Sequence, residues 1–366
     1  MGIEILYKKE EGFVPFLRAV AGKRVAILYD VNTAPYAEDI REQLKGTGCL
    51  VVNVPYRDAQ LLPTEDKCAK AQMAANAVDY VLAVGSGTLN DMAKSVATRA
   101  GLPSGVLPTA ASMDGYCSAG AALMRDGFKV TDTVNPPAHV LVDADVITTA
   151  PRRMTASGFG DIVGKYTCLA DWQLSHIING EPIHGEAFAM MEQAREACMG
   201  AYEGLVRNES EAIETLTSAL LQAGLSMALC GNSRPASGSE HHQSHYLEMD
   251  FARRGEMIPA HGIKVGIGTL VSLYLYEYIG ANRIPCKNAE AVYALCDTLP
   301  RWQDVRELLA GLGCPVHFSE IGVREQVMRD MIRDAHTVRD RYTVLTFMHE
   351  LGLCQRVTPA LIEHFY

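Results

Sequence analysis

The sequence predicts an α/β domain built on a parallel sheet, followed by an all-helical domain. Between residue 24 and about residue 150, short apolar runs alternate with helical stretches, which is typical of βαβ units. After Pro151, long stretches keep helical spacing and strand-like runs are few. A chain of 366 residues is long enough for two domains, and we place them at 1–150 and 151–366.

The strands of the first domain are predicted from apolar runs without polar alternation, the pattern of strands buried on both faces. These runs are Arg24–Asp30, Leu50–Pro55, Tyr80–Val84, Gly105–Leu107 and Val140–Asp143. Helices are predicted at 35–44, at 64–78 and after Gly87. Thr64 is the expected N-cap of the second helix, although Lys67 stands where a capping box would have Glu or Gln.

The second domain is predicted from stretches with apolar residues at helical spacing. They span residues 183–206, 209–229, 265–279, 288–297 and 300–366, the last being broken at Gly311–Pro315 and at Pro359. A cleft between two such domains is a common place for a ligand, so we expect the functional site there.

Composition excludes several classes of partner. The chain has 33 basic and 43 acidic residues and a net charge of −10, which argues against binding nucleic acid or an anionic membrane surface. The most apolar stretch, Leu220–Cys230, is too short to span a bilayer, and the N-terminus lacks the apolar core of a signal peptide. The ten cysteines include no CxxC pair, as expected for reduced thiols. We therefore expect a cytoplasmic protein.

A glycine turn, Gly85-Ser86-Gly87, lies between the strand Tyr80–Val84 and a helix. The backbone amides and the helix dipole at such a turn suit a phosphate or pyrophosphate, although a tight turn with nothing bound fits the same residues. Neither a Walker motif nor GxGxxG is present. Asp30, at the end of the first strand, is suited to an adenosine ribose, but an acid is also a common turn residue.

A second loop, residues 107–118, follows another predicted strand. It combines small hydroxyl residues with Asp114 at the carboxyl edge of the sheet, where ligands of open α/β sheets collect. An ordinary polar loop would have the same composition.

Three histidines lie within the segment 237–245. His241 and His245 are four residues apart and therefore share a helix face. His261 follows in a His-Gly pair, and Asp161 lies between glycines at the expected start of another helix. Two imidazoles and a carboxylate form a three-ligand metal site with an open position. Each histidine alone is more often a surface or core residue, and the pattern does not say which ones bind.

Several of these motifs together resemble a known family. The segments are GSGTLNDMAK, LPTAASMDGYCS, SGFGDIVGK, SRPASGSEHHQSH and HGIKVGIGT. Their order is similar to that in the sn-glycerol-1-phosphate dehydrogenases, members of the iron-type alcohol dehydrogenase and dehydroquinate synthase superfamily. The likeness extends from about residue 20 to 350 and, with RDRYTVLTFMHELGL, is greatest to the bacterial branch.

The resemblance implies a Rossmann-like first domain and a role for each site residue. It implies that the dinucleotide is bound by Asp30, Gly85, Ser86, Gly87, Thr88, Leu89, Thr109, Ala110, Ala111, Ser112 and Ser118. It implies metal ligands at Asp161, His241 and His261, and substrate contacts at Asp114, Asp161 and His245. Of these, Asp161 and His245 are the expected catalytic residues. His242 is expected to be a bystander, because it points about 100° away from His241 around a helix.

The implied reaction is the reversible reduction of dihydroxyacetone phosphate by NAD(H) or NADP(H) to sn-glycerol 1-phosphate, with one zinc, nickel or iron ion polarising the C2 oxygen. Asp30 favours NADH, because it would repel a 2′-phosphate. Lys165, Arg234 and Lys264 are candidate partners of the substrate phosphate, and His245 or water passes the proton. We also expect a homo-oligomer, such as a dimer.

Two alternatives remain on the same scaffold. One is another metal-dependent polyol or sugar-phosphate dehydrogenase. The other is a carbon–oxygen lyase of the dehydroquinate synthase type, which needs a more basic pocket than the HHQSH cluster supplies.

Overall fold

The chain forms two compact units in the computed structural model, which describes residues 2–10, 12–58, 61–125 and 128–366. The first unit comprises the described residues up to Ala111 together with Gly115–Pro151 and Asn208–Thr217. The second comprises Ser112–Asp114, Arg152–Arg207 and Ser218–Tyr366. The short segment Ser112–Asp114 therefore belongs with the helical part of the chain and not with the loop from which it extends.

The first unit is built on a six-stranded sheet in which every pairing is parallel. Its strands are β1 (Glu4–Tyr7), β2 (Arg24–Asp30), β3 (Leu50–Tyr56), β4 (Tyr80–Gly85), β5 (Ser104–Pro108) and β8 (His139–Val142). Strands β6 (Gly120–Arg125) and β7 (Phe128–Thr133) form a separate antiparallel pair. Helices of this unit are α1 (Val14–Val20), α2 (Ala34–Lys45), α3 (Glu65–Ala75), α4 (Gly87–Ala100) and α5 (Ala144–Thr148).

The five predicted strands and the predicted parallel sheet are confirmed. Strand β1 and the β6–β7 pair were not predicted. The four residues of β1 are too few for a periodic signal, and β1 is stabilised by pairing with β8 from far along the chain. Thr64 stands at the N-cap position of α3, but its hydroxyl donates to the Asp66 carboxylate and caps no backbone amide.

The strand order β1-β8-β5-β4-β2-β3 places a topological switch point inside the sheet. From β2 the chain passes to β3 on one side and then to β4 on the other. Open α/β sheets bind ligands outside the carboxyl ends of strands at such a point. Here those strand ends are Asp30 and Gly85, the residues that sequence analysis assigns to the cofactor.

The second unit is helical, as predicted. Its helices are α6 (Arg152–Val163), α7 (Lys165–Asn179), α8 (Gly185–Gly200), α9 (Tyr202–Arg207), α11 (Ser239–Arg254), α12 (His261–Ala281), α13 (Ala289–Asp297), α14 (Trp302–Gly311), α15 (Glu325–Asp334), α16 (Val344–Glu350) and α17 (Cys354–Phe365). Helix α10 (Ser210–Cys230) begins in the first unit and continues in the second. All ten cysteines are free thiols.

Helix α10 is longer than the apolar run Leu220–Cys230 considered above. Its 21 residues make it, within the described ranges, the one helix long and apolar enough to cross a bilayer by length and composition. Half of the apolar window is buried inside the protein. A core helix of a globular protein has the same composition, so this helix is weak evidence for a membrane span.

Close contact between α6 and α12 depends on glycine. A Cβ on Gly262 would lie 1.7 Å from the carbonyl oxygen of Ser157, and a Cβ on Gly160 would lie 2.3 Å from that of Gly262. The two backbones can therefore approach only without side chains at these positions. The neighbouring residues Asp161 and His261 are brought together by this contact.

Asp161 lies near the end of α6, so the expectation that it starts a helix is wrong. Glycines usually weaken a helix interior, so a run containing Gly158, Gly160 and Gly164 favours a helix end over a continuous helix. Gly160 is instead accommodated within α6, where its missing side chain is what the packing against α12 requires. The break falls at Gly164, one residue before α7.

The α6–α12 contact predicts that one added methyl group destabilises the protein at Gly262 but not at an uncrowded helical glycine. Gly262→Ala should lower the free energy of unfolding by about 3 kcal/mol, because overpacking forces the two backbones apart. The matched control is Gly200→Ala, also in a helix of this unit but with no atom within 4 Å of its added Cβ. Urea unfolding of both variants tests this, and equal midpoints for the two would contradict it.

Candidate active site

Asp161, His241 and His261 converge in the second unit. One ligand atom from each of the three lies within 4.8 Å of the others. His241 Nε2 is 3.3 Å from His261 Nε2 and 3.7 Å from Asp161 Oδ1. The residues come from α6 and, about 80 residues further along, from the consecutive helices α11 and α12, with His261 as the first residue of α12.

The donor set and spacing fit a divalent metal ion. Bonds of about 2.1 Å at tetrahedral angles place two ligand atoms about 3.4 Å apart, close to the separations observed here. Two imidazole nitrogens and one carboxylate oxygen are ligands that zinc, iron and nickel all accept. Burial, followed by the charges of His261 and Lys165, lowers the pKa of His241 well below its usual value. The imidazole is thus neutral, the form that binds a metal.

Each histidine of the group is oriented by a carboxylate on α11. His241 Nδ1 donates to Glu240 Oε1 over 2.8 Å, and His261 Nδ1 lies 3.5 Å from Glu248 Oε1. A proton held at Nδ1 leaves the Nε2 lone pair free for the metal, and such outer partners also make the ring a better ligand. Glu240 is itself fixed by the Thr167 hydroxyl and the Gly238 amide.

A buried lysine pairs with the carboxylate of the group. Lys165 is fully buried, and its ammonium donates to Asp114 Oδ2 at 2.7 Å, Asp161 Oδ1 at 3.2 Å and the Ala236 carbonyl at 2.9 Å. The Asp114 amide donates to the other oxygen of Asp161 over 3.0 Å. Burial works against both carboxylates, but the Lys165 charge prevails at Asp114 and lowers its pKa. At Asp161, burial and the Asp114 charge raise the pKa.

These contacts change the roles expected for the basic residues. The three protons of the Lys165 ammonium already have three acceptors in the protein, so Lys165 has none left for a substrate phosphate. Lys264 donates to the Pro259 carbonyl and pairs with Glu248. Arg234 uses Nη2 for Glu181 and two carbonyls, while its buried Nε and Nη1 have no partner among the described residues.

His245 lies beside the ligand group without joining it. Its ring centroid is 6.2 Å from that of His241 and 6.3 Å from that of His261. Nδ1 donates to Glu248 Oε2 over 3.2 Å, and Nε2 accepts from Arg339 over 3.1 Å. Burial lowers the pKa of His245 to about 4, against the attraction of Glu248. His245 is therefore a neutral imidazole with a partner on each nitrogen.

The glycine turn in the first unit has the geometry predicted for it. Strand β4 ends at Gly85, Ser86 is the N-cap and α4 begins at Gly87. The Ser86 side chain makes no cap hydrogen bond, and Ser86, Gly87 and Thr88 are half-buried. The first amides of a helix have no partner within it, so they remain available to an anion. Leu89 is buried beneath the turn, with its side chain filling the place of a Cβ on Gly85.

The loop after β5 is joined to this turn. The Thr109 amide donates to the Gly85 carbonyl, and Ala110 and Ala111 follow in the buried part of the loop. Further along, the Lys94 ammonium, fully buried in α4, donates to the carbonyls of Gly115, Ser118 and Gly120. The Ser118 hydroxyl donates to the Gly115 carbonyl. Ser112, also buried, accepts at its carbonyl from the Ser157 hydroxyl of α6 within the second unit.

Asp30 makes a turn of its own. Its Oδ1 accepts from the amides of Asn32 and Thr33 at 2.8 and 3.0 Å, which orders the chain before α2. One carboxylate oxygen of Asp30 thus serves the turn. The turn role and the predicted cofactor role of this residue are compatible.

Sequence reasoning missed several residues around the ligand group. Glu240 and Glu248 both lie on the helix of His241, and a carboxylate adjacent to or seven residues from a candidate ligand is the signal that would have found them. Arg339 had no such signal, because it approaches His245 from a loop 94 residues away.

The fold and the ligand group define a class of protein. A family model described as iron-containing alcohol dehydrogenase matches residues 11–151, and the helical unit carries the Asp-His-His group. The chain is thus of the iron-type alcohol dehydrogenase class.

Similarity to curated proteins gives the family. The chain is 36% identical over 344 residues to the glycerol-1-phosphate dehydrogenase, NAD(P)+, of Halalkalibacterium halodurans, covering 89% of this chain and 86% of that one. It is 32% identical to the protein of the same name in Bacillus subtilis, over 95% and 91% of the two chains. The chain belongs to the glycerol-1-phosphate dehydrogenase family.

Solved structures show the same fold at lower identity. The glycerol dehydrogenase of Schizosaccharomyces pombe superimposes with a TM-score of 0.71 at 18% identity, over 99% of this chain and 90% of that one. The NADH-dependent butanol dehydrogenase A of Thermotoga maritima gives a TM-score of 0.68, also at 18% identity, over 100% and 97%. The predicted dehydroquinate synthase-like fold class is confirmed.

The buried ion pairs of Lys165 predict a large loss of stability when its charge is removed. Lys165→Met should lower the free energy of unfolding of the metal-free protein by about 3 kcal/mol or more, because two buried carboxylates lose their counter-charge. Adding Asp114→Asn should restore part of that loss. Denaturant unfolding measures both effects, with the exposed Lys23→Met as control; a Lys165→Met variant as stable as the wild type would refute the pairing.

Proposed function

We propose that this protein catalyses the reversible reduction of dihydroxyacetone phosphate to sn-glycerol 1-phosphate, with NAD(H) or NADP(H) as hydride carrier and one divalent metal ion. The observation that carries the proposal is the buried Asp161-His241-His261 group, with ligand atoms within 4.8 Å of one another, in a chain of the glycerol-1-phosphate dehydrogenase family.

Asp161, His241 and His261 would hold the metal. When bound, such an ion polarises a carbonyl oxygen as a Lewis acid, while a reduced nicotinamide supplies the hydride. Glu240 and Glu248 keep the protons of the two imidazoles at Nδ1, and the Asp114 amide holds one oxygen of Asp161, leaving Oδ1 toward the histidines. The chain thus orients its ligands before any substrate binds, which lowers the cost of reorganisation during the reaction.

The proton of the substrate hydroxyl is assigned to His245. In the direction of alcohol oxidation, the neutral ring accepts a proton at Nε2 while Nδ1–H stays on Glu248. Accepting that proton requires Arg339 to release Nε2, which it holds over 3.1 Å. In the direction of ketone reduction, the same proton returns to the substrate oxygen.

The dinucleotide is assigned to the first unit. The pyrophosphate would lie on the free amides at the start of α4, and Thr109 to Ser112 and Ser118 would follow along the cofactor. Asp30 at the end of β2 would accept from the adenosine ribose and disfavour a 2′-phosphate, so we expect NADH to be preferred. Substrate contacts are assigned to Asp114, Asp161 and His245.

We further propose a cytoplasmic enzyme that works as a homo-oligomer, such as a dimer. The net charge of −10 is consistent with the absence of nucleic-acid and anionic-membrane partners.

The proposed activity requires both the metal and the phosphorylated substrate. The purified protein should contain about one zinc, nickel or iron per chain and should oxidise NADH with dihydroxyacetone phosphate faster than with free dihydroxyacetone. Dialysis against a chelator should abolish turnover, and adding back a divalent metal should restore it, because the carbonyl is then polarised again. Metal analysis and NADH absorbance measure this. Full turnover in chelated protein would refute the proposal.

Removing the carboxylate ligand should abolish metal binding and with it most of the turnover. Asp161→Ala should lose the metal and reduce turnover about 1,000-fold or more, because several kcal/mol of transition-state stabilisation go with the ion. The exposed Glu307→Gln on α14 serves as control and should retain both metal and turnover. An Asp161→Ala protein that keeps its metal and its turnover would contradict the assignment of this ligand.

A further inference from the structure

Two arginines, one of them in contact with His245, form no ion pair among the described residues. Arg339 and Arg341 lie in the loop between α15 and α16, and both are half-buried. Their hydrogen-bond partners among the described residues are neutral: His245 Nε2, the Ser233 hydroxyl and the carbonyls of Ser233 and Ser237. Within the described part of the chain, neither guanidinium forms an ion pair with a carboxylate. Half-buried guanidiniums usually have one.

The two guanidiniums converge on one point. Arg339 Nη1 lies 3.5 Å and Arg341 Nη2 lies 2.9 Å from the same Ser233 hydroxyl oxygen. Burial, followed by repulsion from Arg234 and Arg339, lowers the pKa of Arg341 to about 10. Two like charges this close in a partly dry environment repel one another, and an anion bound between them would offset that repulsion.

Buried polar groups without partners among the described residues lie close along the chain to Ser233 and Ser237, which hold the two guanidiniums. His242 is completely buried, and neither of its ring nitrogens has a partner among the described residues. Burial, followed by the charges of Arg341 and Arg339, lowers the pKa of its ring, so both charges act on it. The Ser237 hydroxyl and two nitrogens of Arg234 are also buried and have no partner in the part of the chain that the structure describes. Buried donors in such number without acceptors indicate a ligand rich in acceptor oxygens.

We propose that Arg339 and Arg341, with Ser237, His242 and Arg234 around them, form the subsite for the phosphate group of the substrate. This inference rests on the proposed function and names the specificity residues of the same site. A phosphate monoester carries up to two negative charges and three terminal oxygens, which matches two guanidiniums and several neutral donors. Arginine forks bind such oxygens in pairs, which a lysine cannot do.

The arginines are linked to the metal group through His245. One imidazole, that of His245, separates the ligand group from Arg339: its ring is 6.3 Å from that of His261 and its Nε2 is 3.1 Å from Arg339. In dihydroxyacetone phosphate, one methylene carbon and the ester oxygen separate the carbonyl from the phosphorus. In this proposal His242, which the sequence predicts to be a bystander of the metal group, contributes to the phosphate subsite.

The test compares phosphorylated and unphosphorylated substrates in arginine variants. Arg339→Gln and Arg341→Gln should each raise the KM for dihydroxyacetone phosphate about 30- to 100-fold, because each loses charge-assisted hydrogen bonds to phosphate. Turnover of free dihydroxyacetone by the Arg341→Gln variant should change less than about 3-fold on that basis. Arg341→Lys should restore only part of the affinity. The exposed Arg356→Gln on α17 is the matched control and should behave as wild type.

A binding measurement separates this inference from the proposed function. Calorimetric titration of the metal-free wild type with inorganic phosphate should show one site per chain, and both glutamine variants should lose it while retaining the wild-type circular dichroism spectrum. If the wild type does not reduce dihydroxyacetone phosphate, the proposed function fails, whatever the titration shows. If the wild type reduces it while both variants keep its KM and their phosphate affinity, the subsite is overturned. Equal losses with both substrates and unchanged phosphate affinity also overturn it.

Discussion

The site depends on a buried ammonium shared by two buried carboxylates. Lys165 joins Asp114, Asp161 and the carbonyl of Ala236 through three hydrogen bonds of its ammonium. Bringing three charges out of water costs several kcal/mol for each, and their mutual attraction offsets that cost only when the geometry is good. The ammonium offsets part of the cost of burying the acid pair, while burial and the Asp114 charge still raise the pKa of Asp161.

A second layer of buried polar groups holds the helices that carry the histidines. Asp171, on the helix of Lys165, accepts from the Ser239 and Val344 amides and from the Tyr276 hydroxyl. One carboxylate thus caps the starts of α11 and α16 and binds α12. Glu240 continues the layer through Thr167 and Gly238 to His241. Such connected networks stiffen a site, because no member can move without leaving another unpaired.

The second unit thus has many buried polar groups near its ligand group, and its acidic and basic side chains lie in different places. Carboxylates contact both imidazoles of the ligand group, whereas Arg339, which forms no ion pair among the described residues, contacts Nε2 of His245. His245 contacts both regions, with Glu248 on Nδ1 and Arg339 on Nε2. Its tautomer is thus determined by its two neighbours and not by its own sequence context.

The sequence by itself determined the local features: the buried strands, the glycine turn before α4, and the pairing of His241 with His245 on one helix face. These follow from periodicity and turn chemistry, which act over a few residues. Only the tertiary structure decided that Asp161 ends a helix instead of starting one, because its neighbour Gly160 packs against Gly262, about 100 residues away. Only it decided that Lys165 binds carboxylates and that Arg339 and Arg341 remain without them. Which charges meet depends on how separate helices pack, and no spacing along the chain encodes that.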